Sequence, residues 1–189
     1  MKLALAAVLV AALVAAPAAR ADVKLRVGAE AVLGAHDKNA GWTSLTDRFL
    51  PSANLMLGFT TPLDILSIDL EVSEQFLTNP GNRTDLSQAS RQGTTLRPGI
   101  TISAPIIPIY ARAAIPIHIE PSPVQTYARL GAGLAFNFVA ASVYIEGDAD
   151  FPLFGGDRTT NINGIPTTAS TDPFSQQIFS AGAGLQFKF

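Results

Sequence analysis

Cysteine is absent from the 189 residues, which excludes disulfides and thiolate metal sites. Histidine occurs only at His36 and His118, without paired ligand spacing, so no metal centre is assigned. Setting aside Lys2 and Arg20 from the 13 basic residues leaves 11 against 15 acidic ones, a net charge near −4. With no Lys/Arg run either, nucleic acid is excluded as a partner. Beyond residue 21 there is no uninterrupted apolar stretch of about 18 residues, so a helical membrane protein is excluded too. No glycine loop opens a helix after a buried strand. Gly131-Ala132-Gly133 and Gly182-Ala183-Gly184 are therefore small residues beside bulky Arg, not phosphate cradles, and no cofactor is implied.

The one apolar run lies at the start. Lys2 supplies a positive charge, Leu3 to Val14 is rich in Leu, Ala and Val, and Ala19-Arg20-Ala21 offers small residues at the two positions a signal peptidase reads. The run falls short of the roughly 20 residues a membrane-spanning helix needs. Residues 1–21 are expected to be a cleaved signal peptide, an uncleaved anchor being the alternative, and residues 22–189 a single domain. No Cys follows the cut, so a lipoprotein is not expected.

What the mature chain does have is a period of two. Val23, Leu25, Val27, Ala29, Ala31 and Leu33 alternate with Lys24, Arg26, Gly28, Glu30 and Val32. The same alternation marks strands near 53–59, 66–74, 96–103, 107–119, 128–138, 139–151 and 179–189, eight in all. Met56 makes the second the weakest in pattern. Pro98, Pro108 and Pro116 fall inside two of these strands, where bulges or earlier ends are expected.

Three features place lipid outside these strands and polar groups inside. Short links near Thr60–Leu63, Ser103–Ile106 and Phe138–Val139 alternate with links near 35–51, 77–92, 120–124 and 152–176, an asymmetry typical of outer-membrane barrels. On that orientation Phe59, Phe136, Phe138, Phe187 and Phe189 fall at the periplasmic strand ends. Phe76, Phe151 and Phe179 fall at the opposite rim, giving two aromatic girdles. The charges share the other parity: Arg26, Glu30, Asp69, Glu71, Arg97, Arg112, Arg129, Glu146, Asp148 and Asp150, with Lys24 and Lys188, form the expected lumen network. An Arg on the lipid face near the midplane would cost roughly 2–4 kcal/mol.

The expected fold is all-β: a closed, eight-stranded, antiparallel up-and-down transmembrane barrel with short periplasmic turns and longer outer loops. A two-residue turn at Phe138-Val139 would set Arg129 opposite Asp148 and Tyr127 opposite Asp150. The same logic at Ala104-Pro105 sets Arg97 opposite Arg112, with Asp69 or Glu71 supplying the anion between them. Eight strands leave an interior just filled by side chains, so a plugged, ion-paired lumen is expected.

The final segment, Phe179-Ser180-Ala181-Gly182-Ala183-Gly184-Leu185-Gln186-Phe187-Lys188-Phe189, resembles the closing strand of the small eight-stranded outer-membrane barrels of the OmpA/OmpX type. The resemblance covers the mature chain in pattern, not identity. It implies that Leu185, Phe187 and Phe189 form the signal read by the barrel assembly machinery. It also implies localisation to the outer membrane of a Gram-negative-type bacterium, contact with lipopolysaccharide, and a monomer.

Function stays open among three classes. The working reading is a structural or surface-interaction barrel, with no catalytic residue assigned. Residues 35–51, with Trp42 and Phe49, and residues 152–176, rich in Gly, Thr, Asn and Ser, are where a surface ligand would bind. Some barrels of this kind modify lipid A, and a Ser/His/acid set could here be assembled only as Ser122 with His118 and Glu120. A small-solute channel is the third class.

Overall fold

The computed structural model describes residues 22–37, 41–44, 51–61, 65–77, 90–104, 106–120, 124–155, 158–162, 165–169 and 176–189. The proposed leader and residues 45–50, Phe49 among them, lie outside that set. Every regular element among the described residues is a strand: β1 (Asp22–Asp37), β2 (Gly41–Ser44), β3 (Pro51–Thr60), β4 (Leu66–Leu77), β5 (Ser90–Ser103), β6 (Ile109–Ala114), β7 (Ile117–His118), β8 (Gln125–Asn137), β9 (Ser142–Gly155), β10 (Arg158–Ile162), β11 (Ile165–Ala169) and β12 (Gln176–Lys188).

Ten of these segments form one antiparallel sheet, and pairing of β12 with β1 closes it. The staves number eight, because two are split. β6 and β7 share one stave, and β2 takes over from β3 along the upper edge of β1. β10 and β11 form a separate hairpin within the last long link. Closure pairs the central part of each stave on both sides, which satisfies the backbone there without water.

The alternation read from the sequence reappears as burial, with the usual polarity inverted. Arg, Asp, Glu, Ser and Thr occupy the interior, joined by Met56 and the tyrosines Tyr110, Tyr127 and Tyr144. Val27, Leu55, Ile68, Ile100, Leu130 and Ile145 face outward and are exposed. A water-soluble barrel of this composition would present its apolar side to solvent.

Turn geometry departs from expectation, and register departs with it. The β8–β9 connection is not a two-residue turn: Phe138 N donates to Ala141 O at 2.8 Å, and Asn137 pairs with Ser142. Two-residue hairpin turns need positive φ at a central position, which bulky Phe138 and β-branched Val139 disfavour. Register consequently slides by two residues. Arg129 lies opposite Asp150, not Asp148, and Tyr127 lies opposite Pro152. Between β5 and β6 the turn widens likewise, with Ala104 N bonded to Ile109 O at 3.1 Å, so Arg112 faces Thr101 and not Arg97. Both slips are even in number, so no side chain changes face.

The prolines are absorbed through their carbonyls. Pro98 O accepts from Ile115 N, Pro108 O from Ala135 N, and Pro116 O from Tyr127 N, at 2.7–2.9 Å. Only Pro116 interrupts a stave, between β6 and β7; Pro98 sits within continuous β5, and Pro108 precedes β6. The upper links are also shorter than expected, since β1 runs on to Asp37, β2 occupies 41–44, and β9 extends to Gly155.

The register is directly testable, because the chain has no cysteine. Leu134→Cys with Ile145→Cys should cross-link on oxidation, being directly opposed. Leu134→Cys with Val143→Cys, opposed only in a two-residue-turn register, should stay reduced on non-reducing gels.

Candidate functional site: a charge-filled lumen

Lumen parity brings the charges of six strands into one cluster. Glu30 on β1 is its hub: its carboxylate accepts from Arg97 Nη1 at 2.7 Å, from Arg129 Nη1 and Nη2 at 2.9 and 3.0 Å, and from Asn54 Nδ2 at 3.2 Å. Arg97 Nη1 also donates to Glu71 at 2.6 Å. Glu71 then accepts from Arg112 Nη1 at 2.6 Å. Arg112 holds Asp69 through Nε and Nη2 at 3.1 and 2.7 Å and approaches Glu146 at 3.7 Å. Arg26 donates to Glu146 at 3.3 Å. At the other end Arg129 grips Asp150 with two bonds of 2.7 and 2.6 Å.

The result is an unbroken alternation of sign: Asp150, Arg129, Glu30, Arg97, Glu71, Arg112, Glu146, Arg26. Asp69 branches from Arg112, and Asp148 lies 3.7 Å from Arg129. The Arg112 and Asp69 side chains are 1% and 0% exposed, so these ions are fully withdrawn from water. Taking charges out of water costs several kcal/mol per ion, and the cost is recovered only where geometry is good and remaining donors are bonded. Arg–carboxylate pairs with two bonds meet that condition best.

Glu71 on β4 does bridge the two arginines that the sequence placed together, with Asp69 on the Arg112 side, although Arg97 and Arg112 are not cross-strand partners. Asp148 is the loosest member. Its Oδ1 is buried without a partner, as is Arg97 Nε.

One layer of the lumen was not anticipated. The Arg26 guanidinium lies between two aromatic rings, 4.5 Å from the centroid of Tyr110 and 4.8 Å from that of Tyr144. Stacking of this kind adds attraction to the ring faces. Arg26 Nε also donates to Gln186 Oε1 at 2.7 Å. Glycines make the rings fit. A Cβ on Gly28 or Gly184 would run into Tyr144, and one on Gly133 into Tyr110. The Gly-Ala-Gly segments thus seat tyrosines, along with Asp148 over Gly131, and Gly131 also lies opposite Arg112, the bulky Arg neighbour expected from the sequence. The signal was present in the sequence: Tyr110 and Tyr144 have lumen parity, and so do the glycines.

The remaining singled-out residues lie at the ends. Phe136, Phe138 and Phe189 are exposed on the lower rim, with Phe59, Leu185 and Phe187 on the same outward face. Phe76, Phe151 and Phe179 are half-buried in the upper parts of their strands. His118 Nδ1 lies 2.6 Å from Thr95 Oγ1, with its ring edge-on to Tyr127. Ser122, the nucleophile of the enzyme alternative, lies outside the described residues.

Position within the chain of charges sets the cost of losing a member. Glu30→Gln takes one of the carboxylate partners from each of Arg97 and Arg129, which keep Glu71 and Asp150, and should lower the unfolding free energy by about 2–3 kcal/mol. Asp148→Asn removes one 3.7 Å contact and one unpartnered oxygen, and should cost less than about 1 kcal/mol. Urea titration of the refolded barrel measures both, and equal effects would contradict the hub assignment.

No protein-family model matches this chain, and no curated protein sequence does either. Solved structures do. The N-terminal β-barrel domain of Pseudomonas aeruginosa OprF superposes with a TM-score of 0.53 at 13% identity, covering 90% of this chain and all of that one. Neisserial surface protein A (NspA) superposes with a TM-score of 0.50 at 10% identity, covering 88% of this chain and 97% of that one. At such identities the likeness is one of fold: a closed eight-stranded antiparallel barrel of the kind these two proteins share.

Proposed function

We propose that the chain is exported, loses residues 1–21, and resides as a closed structural barrel in the outer membrane of a Gram-negative-type bacterium. The observation that carries this reading is the inverted polarity: ten charged side chains bonded to one another inside, and an uncharged aliphatic belt outside. Staves of 10–16 residues suffice to cross a bilayer, where about 9–11 tilted residues are needed. Asp22 and Phe189 lie at the end with the short turns, which favours the periplasm for that end and the cell surface for the longer links. Contact with lipopolysaccharide then falls to the upper outward face, and Leu185, Phe187 and Phe189 serve the assembly machinery.

A chain of ion pairs across the lumen, in a bore that eight strands leave only just wide enough for side chains, favours a plug over a channel. Recognition belongs to the surface rim. There Trp42 is 71% exposed, with its ring 5.2 Å from Phe179 and 5.0 Å from His36. An aromatic group held open by its neighbours suits contact with a partner better than a role in the fold.

Fractionation with heat-modifiable gel mobility tests the assignment. Wild type should appear in the outer membrane as a compact, boiling-sensitive band. Leu130→Arg, on the outward face at mid-strand, should weaken that band, at a cost of about 2–4 kcal/mol. A soluble periplasmic protein with unshifted mobility would remove the membrane reading. In planar bilayers the wild-type barrel should hold no sustained open level, and steady current steps would remove the plug.

A further inference from the structure

Two of the short turns are built of residues that turns in water seldom use. Between β5 and β6 the sequence runs Ala104-Pro105-Ile106-Ile107-Pro108, and between β8 and β9 it runs Phe138-Val139-Ala140-Ala141, with no charged or hydrogen-bonding side chain in either. Ile106 is 96% exposed, Val139 entirely so and Phe138 67%. β5, β6, β8 and β9 are consecutive in the sheet, so the two turns stand side by side. The other half of the rim is polar. The sequence between β3 and β4 includes Thr61 and Asp64, and Asp22 pairs with Lys188 where β1 meets β12.

The apolar turns complete a band that is otherwise too short. On the outward face of β4 the first charge is Glu74, bonded to Thr94 of β5 at 2.8 Å, and the backbone N–H of exposed Glu120 reaches the Thr94 carbonyl at 3.4 Å. These carboxylates mark the upper limit of the apolar face. From Thr94 the outward side of β5 descends through Leu96, Pro98, Ile100 and Ile102 to the last residue of the strand, Ser103. Nine residue steps of about 3.4 Å, tilted by roughly 40°, lower the chain by only about 23 Å. The apolar band of such a barrel is about 25 Å tall, and a typical hydrocarbon core is about 30 Å thick. The missing few ångströms are what the turn supplies.

The turn backbone suits lipid as well. In hydrocarbon every N–H needs a partner, and Pro105 and Pro108 carry none. Ala104 N donates to Ile109 O at 3.1 Å, and Phe138 N to Ala141 O at 2.8 Å.

The geometry points to an interaction surface for lipid: the β5–β6 and β8–β9 turns lie within the phospholipid leaflet on the periplasmic side, as the lowest course of the apolar belt, while the Asp22–Lys188 half of the rim meets water. This rests on the membrane reading above, and its test separates the two. With no native cysteine, a fluorophore can be placed singly through Ile106→Cys, Val139→Cys, Thr61→Cys or Leu130→Cys, all at exposed positions. The barrels are refolded in phosphatidylcholine vesicles, and unchanged heat-modifiable mobility verifies folding. Quenching is then compared for iodide in the water and for doxyl groups carried near the lipid carbonyls or at mid-chain.

The Leu130→Cys label should respond most to mid-chain doxyl. The Ile106→Cys and Val139→Cys labels should respond several-fold more to carbonyl-level doxyl than to iodide, and the Thr61→Cys label should show the reverse. Iodide quenching of the Leu130→Cys label would remove the membrane reading itself. Lipid quenching there, with iodide quenching of the Ile106→Cys and Val139→Cys labels, would overturn the immersed turns alone. Shielding of those two labels from both quenchers would make a second copy of the chain the occupant and overturn the lipid assignment. Lipid quenching of the Thr61→Cys label would overturn the division of the rim. An unlabelled variant gives an independent reading. Ile106→Asp with Val139→Asp shortens the band and should shift folding yield, relative to wild type, toward dilauroyl over the thicker dioleoyl vesicles. An unshifted preference would also overturn the proposal.

Discussion

Closure into eight staves is the constraint from which the rest follows. It fixes an interior only just wide enough for side chains to fill at mid-barrel, with little freedom there to leave a long polar group solvated. A guanidinium directed inward must find a carboxylate within that width or remain a bare buried ion. The lumen meets this demand by sharing. Glu30 serves Arg97 and Arg129, and Glu71 serves Arg97 and Arg112, so each of these three arginines finds anions contributed by more than one strand. Sharing also ties together residues far apart in sequence. The Arg129–Glu30 pair joins β8 to β1, which are not neighbours in the sheet, and so braces the barrel across its bore.

Where the charges thin out, shape takes over. Lower down, below Glu146, the charges thin to Arg26 and Lys24, and a single guanidinium cannot fill the bore at its level. Two tyrosines complete the layer, and they can do so only because Gly28, Gly133 and Gly184 leave their wall positions empty. The plug therefore has two parts with different physics. The upper part is electrostatic and fails when a partner is removed. The lower part is steric and fails when a glycine gains a side chain. The boundary between them is Glu146, 3.3 Å from Arg26 below and 3.7 Å from Arg112 above.

The fold was legible in the sequence because its governing period is two, and which face a residue takes depends on nothing else. All eight staves, the inward set of charges and the outward belt follow from that period alone. Register was not legible. It depends on turn length, which depends on whether Phe138-Val139 or Ala104-Pro105 can supply positive φ. The cross-strand partners of Arg129 and Arg112 therefore differed from expectation, while their faces did not. The network tolerated the error, because a guanidinium reaches diagonal neighbours as readily as direct ones. The tyrosine–glycine fit was less accessible still. It requires knowing which stave lies beside which and at what height, and no local pattern encodes that. The interruption at Pro116 could be anticipated as a fault but not placed, since whether a proline breaks a strand depends on where its missing N–H would have pointed.

The expense of burying ten ionisable groups raises the question of why an apolar interior was not used. An interior of Leu and Val would pack at lower desolvation cost, and the exterior is already Leu and Val. With both faces apolar, however, a strand shifted by one residue would be nearly as stable as the correct one, and nothing would tell inside from outside during insertion. Charges remove that ambiguity. A one-residue slip of β8 would turn Arg129 toward lipid, at roughly 2–4 kcal/mol near the midplane, and would leave Glu30 and Asp150 without its guanidinium. The wrong register is thus penalised twice, once outside and once inside. On this account the network's main contribution is to the gap between the correct barrel and its slipped alternatives, and less to absolute stability. That is why the alternation is strictest where the charges are, and why the one weak stave, β3, can carry Met56 inward: Arg26 and Glu71, its cross-strand neighbours on β1 and β4, already hold the register on either side.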